Sequence, residues 1–130
     1  MSSPDRRILL IDADAVHRER VKEYLTATGQ TQVWEASRVK DALDVLNEHP
    51  IDVIISDWDL PIANGYTLLK LVRSQARFNT TAFILMAAST SDQPELKIIQ
   101  ARKLHVDGFL LKPFDQATLE NMLKKIEKNN

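Results

Sequence analysis

The order of short apolar runs and helical patterns predicts an α/β protein with a doubly wound parallel sheet. Strand-like runs alternate with amphipathic helical stripes along the chain, which is typical of βαβ units. Three runs end abruptly at a charged residue, namely Ile8–Ile11 at Asp12, Val53–Ser56 at Asp57, and Phe109–Leu111 at Lys112. The carboxyl ends of parallel strands meet at one edge of the sheet, where such folds bind ligands. Two acids and one ammonium group at that edge suit a divalent cation and a phosphoryl group.

Size and composition are those of one globular domain. The chain has 130 residues, of which 44% are hydrophobic and 27% charged. A chain of this size and composition can bury a sizeable hydrophobic core without disulfides or structural metals. A formal net charge of -1 gives no basic face for direct binding of nucleic acid. The absence of cysteine excludes disulfides and thiolate metal sites. No run is long enough to span a membrane or to form a signal-peptide core, so we expect a cytoplasmic location.

The first half of the chain predicts three strands and two helices. After the strand at Ile8–Ile11, a helical stripe ends at Gly29, a plausible stop. The stripe consists of Val16, Val21, Leu25 and Thr28. Gln32–Ala36 alternates apolar and polar residues as an edge strand does, and Ser37 is a natural N-cap for the second helix. That helix carries Val39, Ala42, Leu43 and Leu46 at helical spacing, and Ile51–Ser56 is the most apolar strand.

The second half continues the alternation. Asn64-Gly65 marks a turn before a third helix, which carries Leu68, Leu69 and Val72 and runs to about Ala76. Ala82–Ala87 is the fourth buried strand. Asp92 is predicted to cap the fourth helix, which Pro94 opens. Its apolar residues are Leu96, Ile99 and Leu104. Phe109–Leu111 forms the short fifth strand, and Asp115 caps a last helix carrying Leu119, Met122, Leu123 and Ile126.

Three segments together resemble the receiver domain of two-component response regulators, of the kind found in chemotaxis regulators. They are Leu9–Asp12, Asp52–Pro61 followed by Asn64-Gly65, and Gly108–Phe114. An Asp-x-x-x-Pro sequence with a Gly a few residues later, joined to Lys-Pro-Phe at a later strand end, is a specific combination. The resemblance covers essentially the whole chain. It implies a flavodoxin-like (βα)5 sheet of order 2-1-3-4-5 and a single receiver domain over 1–130 with an ordered core over roughly 5–128.

The resemblance also implies a function in phosphorelay signalling. Asp57 is the phosphoacceptor for a histidine kinase or phosphotransfer protein, and Lys112 holds the phosphoryl group, with a cis peptide bond to Pro113 orienting its loop. Asp12, Asp57 and Asp59 are the acids of a Mg²⁺ site. An aspartate carboxylate can act as a nucleophile toward phosphorus when its charge repulsion with the phosphate is neutralised, which agrees independently with these roles. The domain is expected not to turn over a substrate as an enzyme does.

The family also implies how the signal leaves the domain. A downstream protein or effector domain is expected to bind a face formed by the fourth helix, the fifth strand and the fifth helix. A homodimer through the same face is a further expectation from the family. Neither a membrane nor direct contact with nucleic acid enters this scheme.

Three positions depart from the family pattern. Receiver domains carry two adjacent acids after the first strand, the second being a direct metal ligand, and here that residue is Ala13. A Thr or Ser that hydrogen-bonds the phosphoryl group is replaced by Ala87, and the aromatic switch position holds Phe109. These departures favour an alternative, a pseudo-receiver that binds partners without phosphorylation. If so, Asp57→Ala has no effect under any condition.

A more remote alternative is an enzyme. Leu10–Val16 also resembles the opening motif of haloacid dehalogenase-type phosphatases, with Asp12 as nucleophile and Asp14 as acid/base. Such enzymes need a further acidic pair after the lysine, where this chain offers only Asp115. We interpret Asp14 instead as a helix cap. His17, His49 and His105 are interpreted as surface or structural residues, and Arg73 as part of a solvated helix face.

Overall fold

The computed structural model describes residues 4–129, which form one parallel sheet with helices on both faces. Its elements are β1 Arg7–Ile11, α1 Ala15–Ala27, β2 Gln32–Ala36, α2 Val39–Glu48, β3 Val53–Asp57, α3 Gly65–Arg73, a short 3-10 helix Ala76–Phe78, β4 Ala82–Ala88, α4 Pro94–Lys103, β5 Gly108–Lys112 and α5 Gln116–Asn129. The strand order is β2-β1-β3-β4-β5. The flavodoxin-like α/β fold predicted from the sequence is therefore confirmed. Residues 1–3 and 130, which the predicted domain includes, lie outside the described residues.

Each face of the sheet carries its own apolar cluster. Alternate residues of one strand point to opposite faces, so Leu9 and Ile8 belong to different clusters. The first cluster packs under α2, α3 and α4 through residues such as Leu46, Leu69 and Ala101. The second packs under α1 and α5. Because the central strands are buried on both faces, they read as continuous apolar runs rather than as alternating ones.

The register of the sheet aligns the ends of its central strands. Ile11 of β1 pairs with Ser56, and Asp57 of β3 pairs with Met86. On the far side, Ala88 of β4 pairs with Lys112. The residues that follow β1, end β3 and end β5 therefore lie on the same edge, as the abrupt ends of the three apolar runs predicted.

Several predicted helix ends are confirmed. Asp14 is the N-cap of α1, and its side chain accepts hydrogen bonds from the backbone N–H groups of Val16 and His17. Asp115 does the same for α5 by accepting from the N–H of Thr118. At the end of α1, Gly29 takes a positive φ of 93°, which a residue with a side chain adopts at a steric cost.

Two predicted capping residues and one predicted helix end are wrong, although α4 begins at Pro94 as predicted. The N-cap of α2 is Arg38 rather than Ser37, and that of α4 is Gln93 rather than Asp92, in both cases without a side-chain capping bond. Because helix formation there depends on packing rather than on the cap, the capping signal was misleading. The helix α3 ends at Arg73, and the segment near Ala76 is a separate 3-10 turn.

Two residues interpreted from helical patterns lie elsewhere than expected. Val16 was placed in the buried stripe of α1 but is 72% exposed, because it sits on the first turn, beyond the end of the sheet. Arg73 was interpreted as solvated, yet its guanidinium donates to the backbone carbonyls of Phe78, Thr81 and His105. No helix within residues 4–129 is both long and apolar enough to cross a membrane.

Candidate functional site

The ammonium group of Lys112 joins two carboxylates at the carboxyl edge of the sheet. Its Nζ lies 2.9 Å from Oδ2 of Asp57 and 3.3 Å from Oδ2 of Asp12. Asp12 is fully buried and Asp57 nearly so, while Lys112 reaches the pair from the end of β5. The peptide bond that follows, Lys112-Pro113, is cis. The structure thus brings together the two acids and the lysine that the sequence placed at this edge.

Backbone contacts fix the position of Asp57. The N–H of Trp58, the next residue, donates to the carbonyl of Met86 on β4 at 2.7 Å. The helix α3 begins directly against Asp57, since a Cβ added to Gly65 would lie 2.2 Å from the carbonyl oxygen of Asp57. Only glycine allows this close approach, which explains the Asn64-Gly65 signal beyond its turn chemistry.

The carboxylate of Asp12 has hydrogen-bond donors on both of its oxygens. Oδ1 accepts from the N–H of Asp14 at 2.9 Å. Oδ2 accepts from Nδ1 of His17 at 2.5 Å in addition to Lys112. Because an ionised carboxylate only accepts, His17 carries its proton on Nδ1. These donors compensate the cost of burying a charge.

The pKa values of the two carboxylates are shifted in opposite directions from their usual value. Burial by itself raises the pKa of Asp12, but the hydrogen bonds from His17 and from the N–H of Asp14, together with the charge of Lys112, bring that pKa below its usual value. Burial also raises the pKa of Asp57, and the contact with Lys112 only partly offsets this effect. A carboxylate whose charge is poorly stabilised is the more basic and the more nucleophilic of the two.

The acids available for a metal ion are fewer than the family pattern supplies. Mg²⁺ commonly binds one or two protein carboxylates and keeps several waters, so the pair Asp12 and Asp57 fits a minimal site. Asp59 donates its N–H toward Oδ1 of Asp57 at 3.4 Å, and the residue is exposed. Among residues 4–129, no three or more His, Cys, Asp or Glu side chains are grouped so that they could hold a metal. The role of Asp59 as a ligand remains a prediction.

The two predicted switch positions lie in an apolar setting. Ala87 is fully buried in the first cluster, together with Trp58, and Phe109 packs against that cluster. The Trp58 ring stacks on Tyr66 at 5.3 Å between centroids and lies 6.3 Å from the ring of Phe109. The site therefore presents a methyl group where the family has a hydroxyl.

Sequence reasoning missed one residue of the site. His17 was interpreted as surface or structural, but its side chain is only 17% exposed and binds Asp12 directly. The available signal was its position in the first turn of α1, three residues after the cap Asp14, which turns a side chain toward the strand end. Asp14 itself caps the helix, so it does not supply the acid/base group that the phosphatase hypothesis requires.

Comparison with known proteins identifies the family of the chain. The model of the response regulator receiver domain matches residues 8–124. The chain is 29% identical over 121 residues to a chemotaxis protein CheY homolog of Campylobacter jejuni, covering 92% of this chain and 91% of that protein. Receiver domains generally act as signalling modules rather than enzymes, interact with histidine kinases and downstream targets, and bind Mg²⁺ at an acidic pocket.

Solved structures show the same architecture. The chemotaxis response regulator CheY4 of Vibrio cholerae superposes with a TM-score of 0.83 at 26% identity, covering 95% of this chain and 99% of that one. The REC domain of AraT, a response regulator from Geobacillus stearothermophilus, gives 0.82 at 26% identity, covering 97% and 95%. The family model and the fold agree, and the chain belongs to the response regulator receiver domain family.

Proposed function

We propose that this chain is a cytoplasmic receiver that accepts a phosphoryl group on Asp57 from a histidine kinase or phosphotransfer protein. The observation that carries the proposal is the contact of Lys112 Nζ with both Asp57 and Asp12. An ammonium group between two acids at the carboxyl edge of the sheet compensates their buried charge, and it is also placed to neutralise an incoming phosphoryl group.

In the proposed reaction, an Oδ atom of Asp57 attacks the phosphorus of a phosphohistidine. The new O–P bond forms as the P–N bond breaks, and the imidazole of the donor leaves with the electron pair of that bond. The ammonium group of Lys112 then pairs with the negatively charged phosphoryl oxygens. Mg²⁺, when bound by Asp12 and Asp57, reduces the repulsion between the acceptor and the phosphoryl group. Asp59 is proposed to contribute to holding the ion.

Phosphorylation by a small donor tests the proposal without a partner protein. The purified chain is treated with acetyl phosphate, with and without MgCl₂, and its intact mass is recorded. We expect the addition of one phosphoryl group, faster with Mg²⁺, to the wild type and to Asp44→Asn, an exposed acid on α2. Asp57→Asn should gain none. Addition to Asp57→Asn, or none to the wild type at any MgCl₂ concentration, would contradict the proposal.

A pseudo-receiver is the second candidate, and the burial of Ala87 in the first cluster favours it. Without a hydroxyl at this strand end, a phosphoryl group on Asp57 lacks one hydrogen bond, which for a charged group is worth about 1.5–3 kcal/mol. A coupling of that size is typical of allosteric signalling. The two candidates differ in one measurement, namely whether Asp57→Ala changes partner binding only when a phosphodonor is present.

A face at the end of the sheet is proposed to bind the downstream protein. Leu96 and Ile99 on α4 are 46% and 50% exposed, and Leu111 on β5 is 40% exposed. All three are exposed apolar side chains on elements that the family uses for output. Sedimentation of the chain with and without acetyl phosphate distinguishes a heterologous partner from a second copy, since only the second copy produces a dimer in the purified protein. Ile99→Asp should abolish either complex.

A further inference from the structure

His17 is placed to control access to Asp12. Its Nδ1–H donates to Oδ2 of Asp12, a hydrogen bond to a charged acceptor. The ring is held from the other side by Phe114, whose ring meets it edge-on at 5.9 Å between centroids. Phe114 lies in the loop after β5, two residues beyond Lys112. The imidazole is therefore fixed by packing as well as by its hydrogen bond.

The carboxylate oxygen of Asp12 that His17 binds is the one that faces Asp57. Lys112 Nζ reaches Oδ2 of both carboxylates, so these two oxygens lie on the inner side of the pair. The other oxygen of Asp12 is bound to the N–H of Asp14. A carboxylate oxygen has about two lone pairs, and on Oδ2 both are taken, by His17 and by Lys112. A cation shared between Asp12 and Asp57 must compete for this oxygen.

The absence of an acid at position 13 favours His17 over a metal ion in the competition for Asp12. With Ala13 beside it, Asp12 has no adjacent acid at position 13 to help attract a cation, and only Asp57 shares the site with it. A fully buried carboxylate still needs partners, and here the chain provides them itself. His17 and Lys112 thus stabilise Asp12 in the absence of a metal ion.

We propose that His17 competes with a metal ion for Oδ2 of Asp12, so that a divalent cation held by Asp12 and Asp57 would bind only after His17 has released the carboxylate. This inference rests on the proposed function, because it concerns how the same carboxylate pair takes up its metal. It assigns to His17 the role of a positioning residue that lowers the affinity for Mg²⁺.

Titration with MgCl₂, followed by nuclear magnetic resonance, tests the proposal in the wild type. The amide signals of Asp57 and Trp58 report binding at the acceptor, and the ring signals of His17 report its hydrogen bond. We expect both sets to shift with the same midpoint. If the signals at Asp57 and Trp58 saturate while those of the His17 ring stay unchanged, the proposal is wrong. The experiment needs no phosphorylation, so its result is independent of whether Asp57 accepts a phosphoryl group.

Variants at position 17 give the magnitude. His17→Ala removes the competing donor, and we expect it to bind Mg²⁺ roughly tenfold more tightly than the wild type, the effect of losing one hydrogen bond to a charged group. His17→Gln keeps a side-chain donor and should fall between the two. The matched control is His49→Ala, which removes an imidazole stacked on Trp34 and should leave Mg²⁺ binding unchanged. Equal or weaker binding by a folded His17→Ala would overturn the inference, and the wild-type titration decides if that variant does not fold.

Discussion

The carboxyl of Asp57 lowers the stability of the folded protein when it is ionised. Burial raises its pKa, so folding favours the protonated form. A group of this kind contributes its full stability below the unfolded pKa of about 3.9 and loses it as the pH rises through the higher folded value. We expect Asp57→Asn, which is neutral throughout, to be more stable than the wild type at pH 7 by about 0.5–2 kcal/mol, as stabilising substitutions usually are. The advantage should shrink as the pH falls toward 4.

Urea unfolding of both proteins in Mg²⁺-free buffer at several pH values measures this difference. Asp52→Asn is a control of opposite sign, because hydrogen bonds from Arg7 hold the pKa of Asp52 below its usual value. A lowered pKa contributes stability at neutral pH that is lost on acidification, so this variant should be less stable at pH 7. An Asp57→Asn protein no more stable than the wild type at pH 7 would show that Lys112 fully offsets the burial.

At the scale of single elements, the start of α3 lies so close to β3 that it has no room for a side chain at Gly65. A Cβ at Gly65 would lie 2.2 Å from the carbonyl oxygen of Asp57. This is a backbone atom, which cannot move without displacing Asp57 itself. Helix propensity alone favours alanine over glycine by about 1 kcal/mol. We nevertheless expect Gly65→Ala to destabilise the protein by about 1–3 kcal/mol, the usual cost of overpacking.

Gly108→Ala is the matched comparison for this prediction. Its Cβ would meet the sulfur of Met122 at 2.3 Å, but this neighbour is a flexible side chain that can change rotamer. Urea midpoints should therefore rank Gly65→Ala well below Gly108→Ala. The reverse order, or a stabilised Gly65→Ala, would mean that β3 and α3 separate easily.

The last residue of α3 connects two neighbouring strands at their amino ends. The guanidinium of Arg73 donates to the carbonyls of Thr81 at 2.9 Å and His105 at 3.2 Å, and to the carboxylate of Asp107 at 3.0 Å. Lysine cannot reproduce this fork of donors. We expect Arg73→Lys to lower the unfolding free energy by about 1–3 kcal/mol because carbonyls are left without donors. Arg102→Lys, an exposed arginine on α4, should change it by less than about 0.5 kcal/mol. Chemical denaturation of both variants would settle the comparison.

How far the sequence predicted these elements depends on what stabilises each of them. The strands were predictable because burial on both faces leaves an apolar run such as Ile51–Ser56 with an abrupt end, and the same ends located Asp12, Asp57 and Lys112. The cap of α4 was not, since the helix opens at Pro94 as predicted but follows a left-handed Gln93 without a side-chain capping bond, rather than a cap at Asp92. His17 was missed because its partner, Asp12, lies in a loop whose geometry depends on the tertiary fold.

At the scale of the whole molecule, two apolar clusters share a single sheet, so we expect the domain to unfold as one unit. The first and second clusters use alternate residues of the same strands, so neither can unfold while the other remains intact. For such a domain we expect one cooperative transition. A ligand that binds only the folded state then raises the stability of the entire chain by mass action, by about 2.7 kcal/mol at a hundredfold excess over its dissociation constant.

This linkage allows the missing acid to be tested by thermal unfolding. Ala13 is exposed beside the buried Asp12, so Ala13→Asp adds a third negative charge next to two existing ones. Without Mg²⁺ we expect that variant to unfold at a lower temperature than the wild type, because like charges repel. With increasing MgCl₂ its unfolding temperature should rise more steeply and finally exceed that of the wild type, since three carboxylates hold the ion more tightly than two. Ser37→Asp adds the same charge at the same edge of the sheet, after β2, and should follow the wild type in its response to MgCl₂. Parallel curves for Ala13→Asp and Ser37→Asp would show that the acid at position 13 acts only through its charge and not as a metal ligand.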